Sequence, residues 1–521
     1  MEISSQPSRT GADAPRSSGI RISIDRGGTF TDIHTSVPGR NDIILKVLSV
    51  DPANYDDAPT EGIRRVLEQV TGRPHPRKEL LDTSLIEGIR MGTTVGTNAL
   101  LEKEGAKSAL LITKGFKDLL EIGNQCRPKI FDLTVAKPRL LYESAIEVDE
   151  HDMLRTGPTG EAVKIIKSPD VEALKEPLQK LWDASYRSLS VMFIHSYVWP
   201  EHERQVGALA GDMGFEVVES AALQPMIKSV PMARGLASDD LRWELMQSDG
   251  GLVDFRSFGT FRSILSGPAG GLVGYTQTST RTYLPDYDSF INVAAGGGSM
   301  LFWRNGLFVV GPESAGSHPS PACYRKGDPL IITDANLFLG RIAPDYFPKI
   351  FSPNENQPLS TEIVNEKFAQ LTEINADNVA AGREEFNAEE VALGFLHVAS
   401  EVMARPIRAL TEARGHGTSE HILSCFGGAG VQHACDMAKA LYISQVVIHT
   451  YSSILTAFGL SLTDLVHEIQ RPAAMDFNSS NISKISETLD ELSALTTEHL
   501  VKSRVAKERI RLELYLNMRY E

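Results

Sequence analysis

The chain has 521 residues, 42% of them hydrophobic, enough to bury a sizeable core and, by length alone, to fill about three domains. Its 52 basic and 67 acidic residues give a net charge of −15, and no basic run resembles a nucleic-acid face or a polybasic membrane patch, which argues against both as partners. Cys126, Cys323, Cys425 and Cys435 form no Cys-x-x-Cys pair; such sparse usage fits a reducing compartment and makes the cytosol the expected location.

Residues 1–20, rich in Ser, Arg, Pro and Gly, hold no apolar run and read as a disordered tail. The run Ile22-Ser23-Ile24-Asp25-Arg26-Gly27-Gly28-Thr29-Phe30-Thr31-Asp32-Ile33 then places two carboxylates, two hydroxyls and a glycine pair on one strand-turn-strand. Gly27 and Gly28 are expected to take the positive φ of a tight hairpin, so that backbone N–H groups converge on a phosphate with no Cβ in the way. Thr29 and Thr31 would add hydroxyls, and Asp25 and Asp32 would hold Mg²⁺ through its waters. An ordinary Asp/Gly hairpin is the alternative, less favoured once the whole Asp-x-Gly-Gly-Thr-x-Thr-Asp string is weighed.

Residues 43–47 return as a third strand, giving an antiparallel meander, and a helix follows near 58–71. A strand at 89–91 leads into Gly92-Thr93-Thr94-Val95-Gly96-Thr97-Asn98, a short helix stopped by Gly105, and a buried strand at 108–113. Another strand at 188–194 and a helix at 201–213 continue the alternation, an α/β pattern. The stretch 250–329 is rich in Gly and Pro and is expected to be loop-heavy. A long helix starts at Asn387, with Glu390 in capping-box spacing and Val391, Phe395, Val398 and Val402 on the apolar face; Pro406 should kink it and Gly415 stop it. A strand at 422–426 runs through Gly427-Gly428-Ala429-Gly430 into a helix; taken alone this reads first as a tight turn with no ligand, but paired with the 25–32 hairpin it reads as a turn on which a planar or anionic ligand can rest at the positive end of the helix dipole. Residues 471–521 read as a polar linker, a helix and a strand-like end.

These motifs together resemble the ATP-dependent 5-oxoprolinase and hydantoinase A family. The likeness continues through Gly115-Phe116-Lys117-Asp118, Met246-Gln247-Ser248-Asp249-Gly250-Gly251, Leu265-Ser266-Gly267-Pro268-Ala269-Gly270-Gly271, Pro321-Ala322-Cys323-Tyr324 and Thr333-Asp334-Ala335-Asn336. Val309-Val310-Gly311-Pro312-Glu313-Ser314-Ala315-Gly316 and Arg405-Pro406-Ile407-Arg408-Ala409-Leu410-Thr411 look like the eukaryotic 5-oxoprolinase type. The resemblance implies the two-lobed actin, sugar kinase and Hsp70 ATPase fold, and ATP-driven opening of 5-oxo-L-proline to L-glutamate in the glutathione cycle. It implies ATP and Mg²⁺ as cofactors, with Asp25, Gly27, Gly28, Thr29, Thr31 and Asp32 as the phosphate and metal grip. Gly427, Gly428 and Gly430 would form the adenosine turn. Thr93, Thr94, Asn98 and Arg127 are weaker candidates for substrate contact, since a Thr-rich turn is as often a helix cap and an Arg as often a surface ion pair. His318 and Cys323 have no partner in sequence that would make a nucleophile-base pair, and no catalytic residue is assigned.

The chain also departs from the family pattern. Between Tyr275 and Ile291 the family carries a second Asp-x-Gly-Gly-Thr-x-Thr-Asp turn, and here only residues 276–290 stand in its place; a shorter loss falls between Pro231 and Trp243. The last residues fall short of the family's first region and of a hydantoinase B-like half. The expected division is therefore a 21–222 N-terminal lobe, a 223–470 hydantoinase A-like lobe with internal deletions and hence incomplete, and a truncated 471–521 tail. Two other readings stand beside the hydrolase: a non-catalytic nucleotide-binding remnant and an ATP-dependent hydantoinase. A small cyclic amide is the expected ligand, and a hydantoinase B-like half or a second copy the expected protein partner.

Overall fold

The computed structural model describes residues 19–94, 107–123, 140, 142–155, 162–197, 199–223, 244–246, 252–254, 266–278, 296–317, 320–327, 329–352, 354–380, 382, 384–471, 475, 477–503, 505–516 and 518. They form two compact units, each assembled from separate stretches: Met1–Val95, Trp243–Leu252 and Leu265–Asp464 in the first, Gly96–Arg242, Val253–Ile264 and Leu465–Glu521 in the second. Parallel and antiparallel strands alternate with helices, so the class is α/β as expected.

In the first unit, β1 (Ile20–Arg26), β2 (Phe30–Ser36) and β3 (Ile43–Leu48) make the antiparallel meander. Helix α1 (Ala58–Thr71) opens on Asp57, whose side chain accepts from the Thr60 N–H, and closes at Gly72 in the left-handed region. Strand β4 (Ile86–Thr93) joins β1 in parallel, and β5 (Glu244–Met246) and β6 (Leu252–Asp254) extend the sheet to the order β6-β5-β4-β1-β2-β3. Alternation sends Ile22, Ile24, Ile33 and Val47 to one face, where they bury against Ile63, Val66 and Leu67 of α1. The opposite face carries Asp25, Asp32 and Lys46.

The Gly-rich stretch expected to be loop-heavy contains regular elements that the sequence did not single out: α2 (Ser266–Thr278) and the antiparallel pair β7 (Ser299–Arg304) and β8 (Leu307–Ser314). Glycine serves packing there. Helix α3 (Ile332–Phe338) follows, and α4 (Ala388–Ala413) begins with the expected reciprocal cap between Asn387 and Glu390. Its buried stripe is Val391, Phe395, Ala399 and Met403, whereas Val402, expected inside, is 49% exposed; the stripe steps from 395 to 399 and 403, and Val402 falls off it. The helix continues through Pro406, and Gly415 with φ +81 ends the turn that follows. Strand β9 (Leu423–Cys425), α5 (Gly430–Ala440) and the parallel β10 (Val446–Ile448) form a small β-α-β unit. Helix α6 (Leu455–Leu462) lies so close on α2 that a Cβ at Gly459 would overlap the Gly270 carbonyl oxygen. Only glycine permits that approach.

The second unit is built on four parallel strands in the order Glu216–Glu219, Ser188–Met192, Ser108–Thr113, Ser144–Val148. Helices Val171–Asp183 and Glu201–Asp212 cover it, and Leu111, Leu178, Leu189 and Val206 form its core. Its buried acids are satisfied: Glu203 accepts from the Phe193 N–H at 2.8 Å and the Ser220 hydroxyl at 2.6 Å, and Glu150 accepts from Thr113 and pairs with His202 at 2.8 Å. The C-terminal helix is Ile482–Lys502, but the strand-like end is in no sheet among the described residues; its hydrophobic residues Leu512, Leu514 and Leu516 are exposed and pair with no strand. The helix before Gly105 and the 276–290 replacement lie outside or largely outside the described residues.

Candidate nucleotide site

The site is laid out by strand register. Asp25 of β1 pairs with Gly92 of β4 on one side and Asp32 of β2 on the other, and Asp32 pairs with Lys46 of β3. Cross-strand partners share a face, so the two carboxylates and the ammonium stand in one row, with Gly92 leaving room beside Asp25. Helix α6 closes this row: Thr456 hydrogen-bonds the Asp25 carboxyl, and a Cβ at Gly92 would be 3.4 Å from Leu460. Arg90 donates from Nη1 to the carbonyls of Leu460, Ser461 and Thr463 at 2.9–3.0 Å, fixing the end of α6 where its own carbonyls lack partners.

Electrostatics follow from that row. Asp25 Oδ1 is shut off from solvent and has no hydrogen-bond partner among the described residues. Burial, reinforced by the adjacent Asp32 charge, pushes the Asp25 carboxyl up to about 7. Burial also raises Asp32, against the pull of Lys46, whose ammonium is hydrogen-bonded to Asp32 Oδ1. Lys46 Nζ lies 4.9 Å above the Phe30 ring and 4.0 Å from where a Gly428 Cβ would be. It therefore stands between the hairpin and the second glycine turn.

The hairpin does not use positive φ at Gly27 or Gly28, contrary to the sequence expectation. Glycine is required at 27 for a different reason: its N–H donates to the Phe30 carbonyl at 2.9 Å, and a Cβ there would stand 2.9 Å from the same oxygen. The left-handed glycine is Gly427, with φ +86, whose N–H donates to Ser452 O at 2.8 Å. Thr31 points to the α1 face, fully buried, its hydroxyl 3.0 Å from Ser49 Oγ, which in turn donates to Gly27 O at 2.6 Å. It braces the hairpin from behind. Thr93 and Thr94 lie next to the hairpin, the Thr94 N–H donating to Arg26 O at 3.0 Å. Asn98, Arg127 and His318 lie outside the described residues, and Cys323 is a buried thiol raised by burial and by neighbouring Asp334.

Two parts of this neighbourhood escaped the sequence reading: Lys46, an ordinary lysine in a strand, and the turn Gly296-Gly297-Gly298 before β7. A Cβ at Gly298 would stand 3.6 Å from Thr29 Oγ1 and 2.9 Å from Ser314 Oγ, and one at Gly297 would be 3.3 Å from Ala429 Cβ and would clash with Thr333 Oγ1. The three-glycine run was the available signal. All three glycine turns belong to the first unit.

Comparison with known proteins identifies the lineage. The model of the hydantoinase/oxoprolinase N-terminal region matches residues 21–214, and the hydantoinase/oxoprolinase model matches 221–287 and 280–469. The chain belongs to the hydantoinase/oxoprolinase family. This family member is 44% identical to 5-oxoprolinase 1 of Arabidopsis thaliana over 581 residues and 42% identical to the 5-oxoprolinase of Dictyostelium discoideum over 596, in each case across 96% of the chain. It spans 46% and 47% of those proteins, a little under half. Both alignments are longer than its own 521 residues, so the relatives carry stretches without a counterpart in it. Among solved structures, a nucleotide-free acetone carboxylase chain superposes with a TM-score of 0.71 at 18% identity, covering 92% of this chain and 76% of that one. The ATP-dependent caprolactamase of Pseudomonas jessenii gives 0.58 at 21%, over 91% and 75%. The likeness to both is one of fold, an α/β arrangement shared over most of this chain.

Proposed function

We propose that this chain is the nucleotide-handling part of an ATP-dependent cyclic-amide hydrolase that opens 5-oxo-L-proline to L-glutamate. The observation that supports it most is the meeting of the hairpin, Lys46 and the Gly427-Gly428 turn around two half-buried carboxylates, in a chain whose full-length relatives bear the name 5-oxoprolinase. The chemical need is clear: an unstrained lactam is held by amide resonance, and phosphorylating its oxygen turns that oxygen into a leaving group, so that water can attack at neutral pH. The N–H groups of Gly28 and Thr29 hold the outer phosphates, and the turn of Gly427, Gly428 and Gly430 receives the adenosine. Asp25, with its unpartnered Oδ1, and Asp32 fit a cation held partly through water, and a bound Mg²⁺ would offset charge on the phosphates. Thr93, Thr94, Asn98 and Arg127 are the proposed substrate contacts, with a cytosolic location and a hydantoinase B-like partner.

The test is phosphate and glutamate release by the purified chain with ATP, Mg²⁺ and 5-oxo-L-proline, set against hydantoin. The expected result is release dependent on 5-oxo-L-proline, slower than in a full-length relative by at least about 10²-fold, the usual effect of losing one oxyanion donor. Preference for hydantoin would make it a hydantoinase. Nucleotide-dependent melting with no turnover, even with a hydantoinase B-like half added, would make it a binding remnant.

A further inference from the structure

Three turns in the first unit share an unusual feature. Among the described residues, the backbone N–H groups of Gly28 and Thr29, of Gly297 and Gly298, and of Gly428 and Ala429 donate no hydrogen bond. Successive free N–H groups in a turn form a concave donor site for an anion. The three pairs are neighbours: Gly298 adjoins Thr29 and Ser314, Gly297 adjoins Ala429 and Thr333, and Gly428 adjoins Lys46. The 296–298 turn is itself held from behind, because the Thr333 N–H and hydroxyl both donate to Gly297 O at 3.0 Å and the Ala315 N–H donates to Gly298 O at 3.0 Å. Carbonyls are thus tied into the protein and N–H groups are left over. Lys46 is the cation within this ring, and its ammonium is held by Asp32.

We propose that Lys46 and the 296–298 turn complete a polyphosphate cradle with the hairpin and the Gly427-Gly428 turn, Lys46 passing from Asp32 to the phosphates when nucleotide binds. This rests on the nucleotide reading above and goes beyond it in two ways. The wall facing the hairpin is the 296–298 turn, which adds donors of its own to that side of the phosphates. Asp32 is a counter-ion in the free protein and becomes available to a cation only as Lys46 leaves it. Binding would then be an exchange: the phosphates take the lysine, and Asp32 would be left free to hold a metal ion that offsets phosphate charge.

The experiment is calorimetric titration of ADP, without metal and with chelator, and of adenosine, into the whole chain and three variants. Asp32→Asn frees Lys46 and should bind metal-free ADP several-fold more tightly than the unmodified chain. Lys46→Gln combined with Asp32→Asn keeps a neutral hydrogen-bonding pair and should bind ADP about ten- to a hundredfold more weakly than Asp32→Asn alone, the worth of a charged hydrogen bond. Gly298→Pro removes one N–H and should weaken ADP as well. Adenosine affinity should be the same in all four, which also shows that each variant is folded. Equal ADP affinity of Asp32→Asn and the double variant would overturn the role of Lys46, and unchanged ADP affinity in Gly298→Pro would overturn that of the turn. An unmodified chain that is folded by its melting transition but binds neither ADP nor adenosine would overturn the nucleotide reading itself, and this inference with it.

Discussion

Replacing Asp25 by Asn should make the protein more stable at pH 8 while abolishing the metal-dependent nucleotide binding proposed for it. The Asp25 carboxyl is raised from the 3.8 of a free side chain to about 7, first by burial and then by the charge of Asp32. The folded protein therefore holds this proton more tightly than the unfolded chain does. For a raised acid the contribution to stability is fully present below the unfolded value near 4, declines as pH rises, and is lost once pH passes about 7. Each pH unit across that window is worth about 1.4 kcal/mol, so the ionised carboxylate costs up to about 4 kcal/mol at pH 8 and about 1.6 kcal/mol at pH 5. Water reaches part of the residue, which makes these upper bounds. Asn removes the titration with nearly the same shape, so the melting temperature of Asp25→Asn should exceed that of the unmodified chain, and by clearly more at pH 8 than at pH 5. A difference independent of pH, or a less stable variant at pH 8, would refute the placement of Asp25 as an acid whose charge is only partly compensated. Stability withheld in this way is characteristic of groups kept for binding or catalysis.

Thr31→Val should lower stability by about 1–2 kcal/mol, measured by thermal melting, because it leaves Ser49 without its buried partner; its affinity for ADP should be unchanged, and a loss there would return Thr31 to the ligand face. Gly459→Ala should cost about 3 kcal/mol or more although Ala favours a helix, since the new methyl would occupy the place of the Gly270 carbonyl. A neutral melting temperature would mean that α2 and α6 do not meet backbone to backbone.

Much of the first unit was legible because its signals are local. Alternation in 22–24 and the Asn387-Glu390 pair each act within a few residues, and each element formed where the pattern put it. The face of each hairpin residue was legible in principle from period two, yet Thr31 was assigned to the ligand by its type; its register with Arg26 and Val47 puts it behind the sheet. Lys46 could not be found locally, since its importance arises from pairing with Asp32 fourteen residues earlier. The helix at 266–278 was hidden by its glycines, which read as loop until a second helix is known to lie against them. The role of glycine at 27 was likewise misjudged, because close approach and positive φ leave the same mark on a sequence.

The lid over Asp25 has a consequence for biosynthesis. The carboxyl sits on β1, whereas Thr456 and the helix that shelter it are more than four hundred residues downstream, anchored to Arg90 across a gap of 370. At ribosomal speeds of about 5–20 residues per second, that helix arrives roughly 20 to 90 seconds after the hairpin. Until then one face of the sheet, with its two acids and lysine, stays wet and the adjoining apolar surface lacks its cover. A nascent chain of this kind is a natural client for chaperones that shield incomplete sheets, and a message cut before codon 463 would leave the hairpin sequence intact but its acid unsheltered.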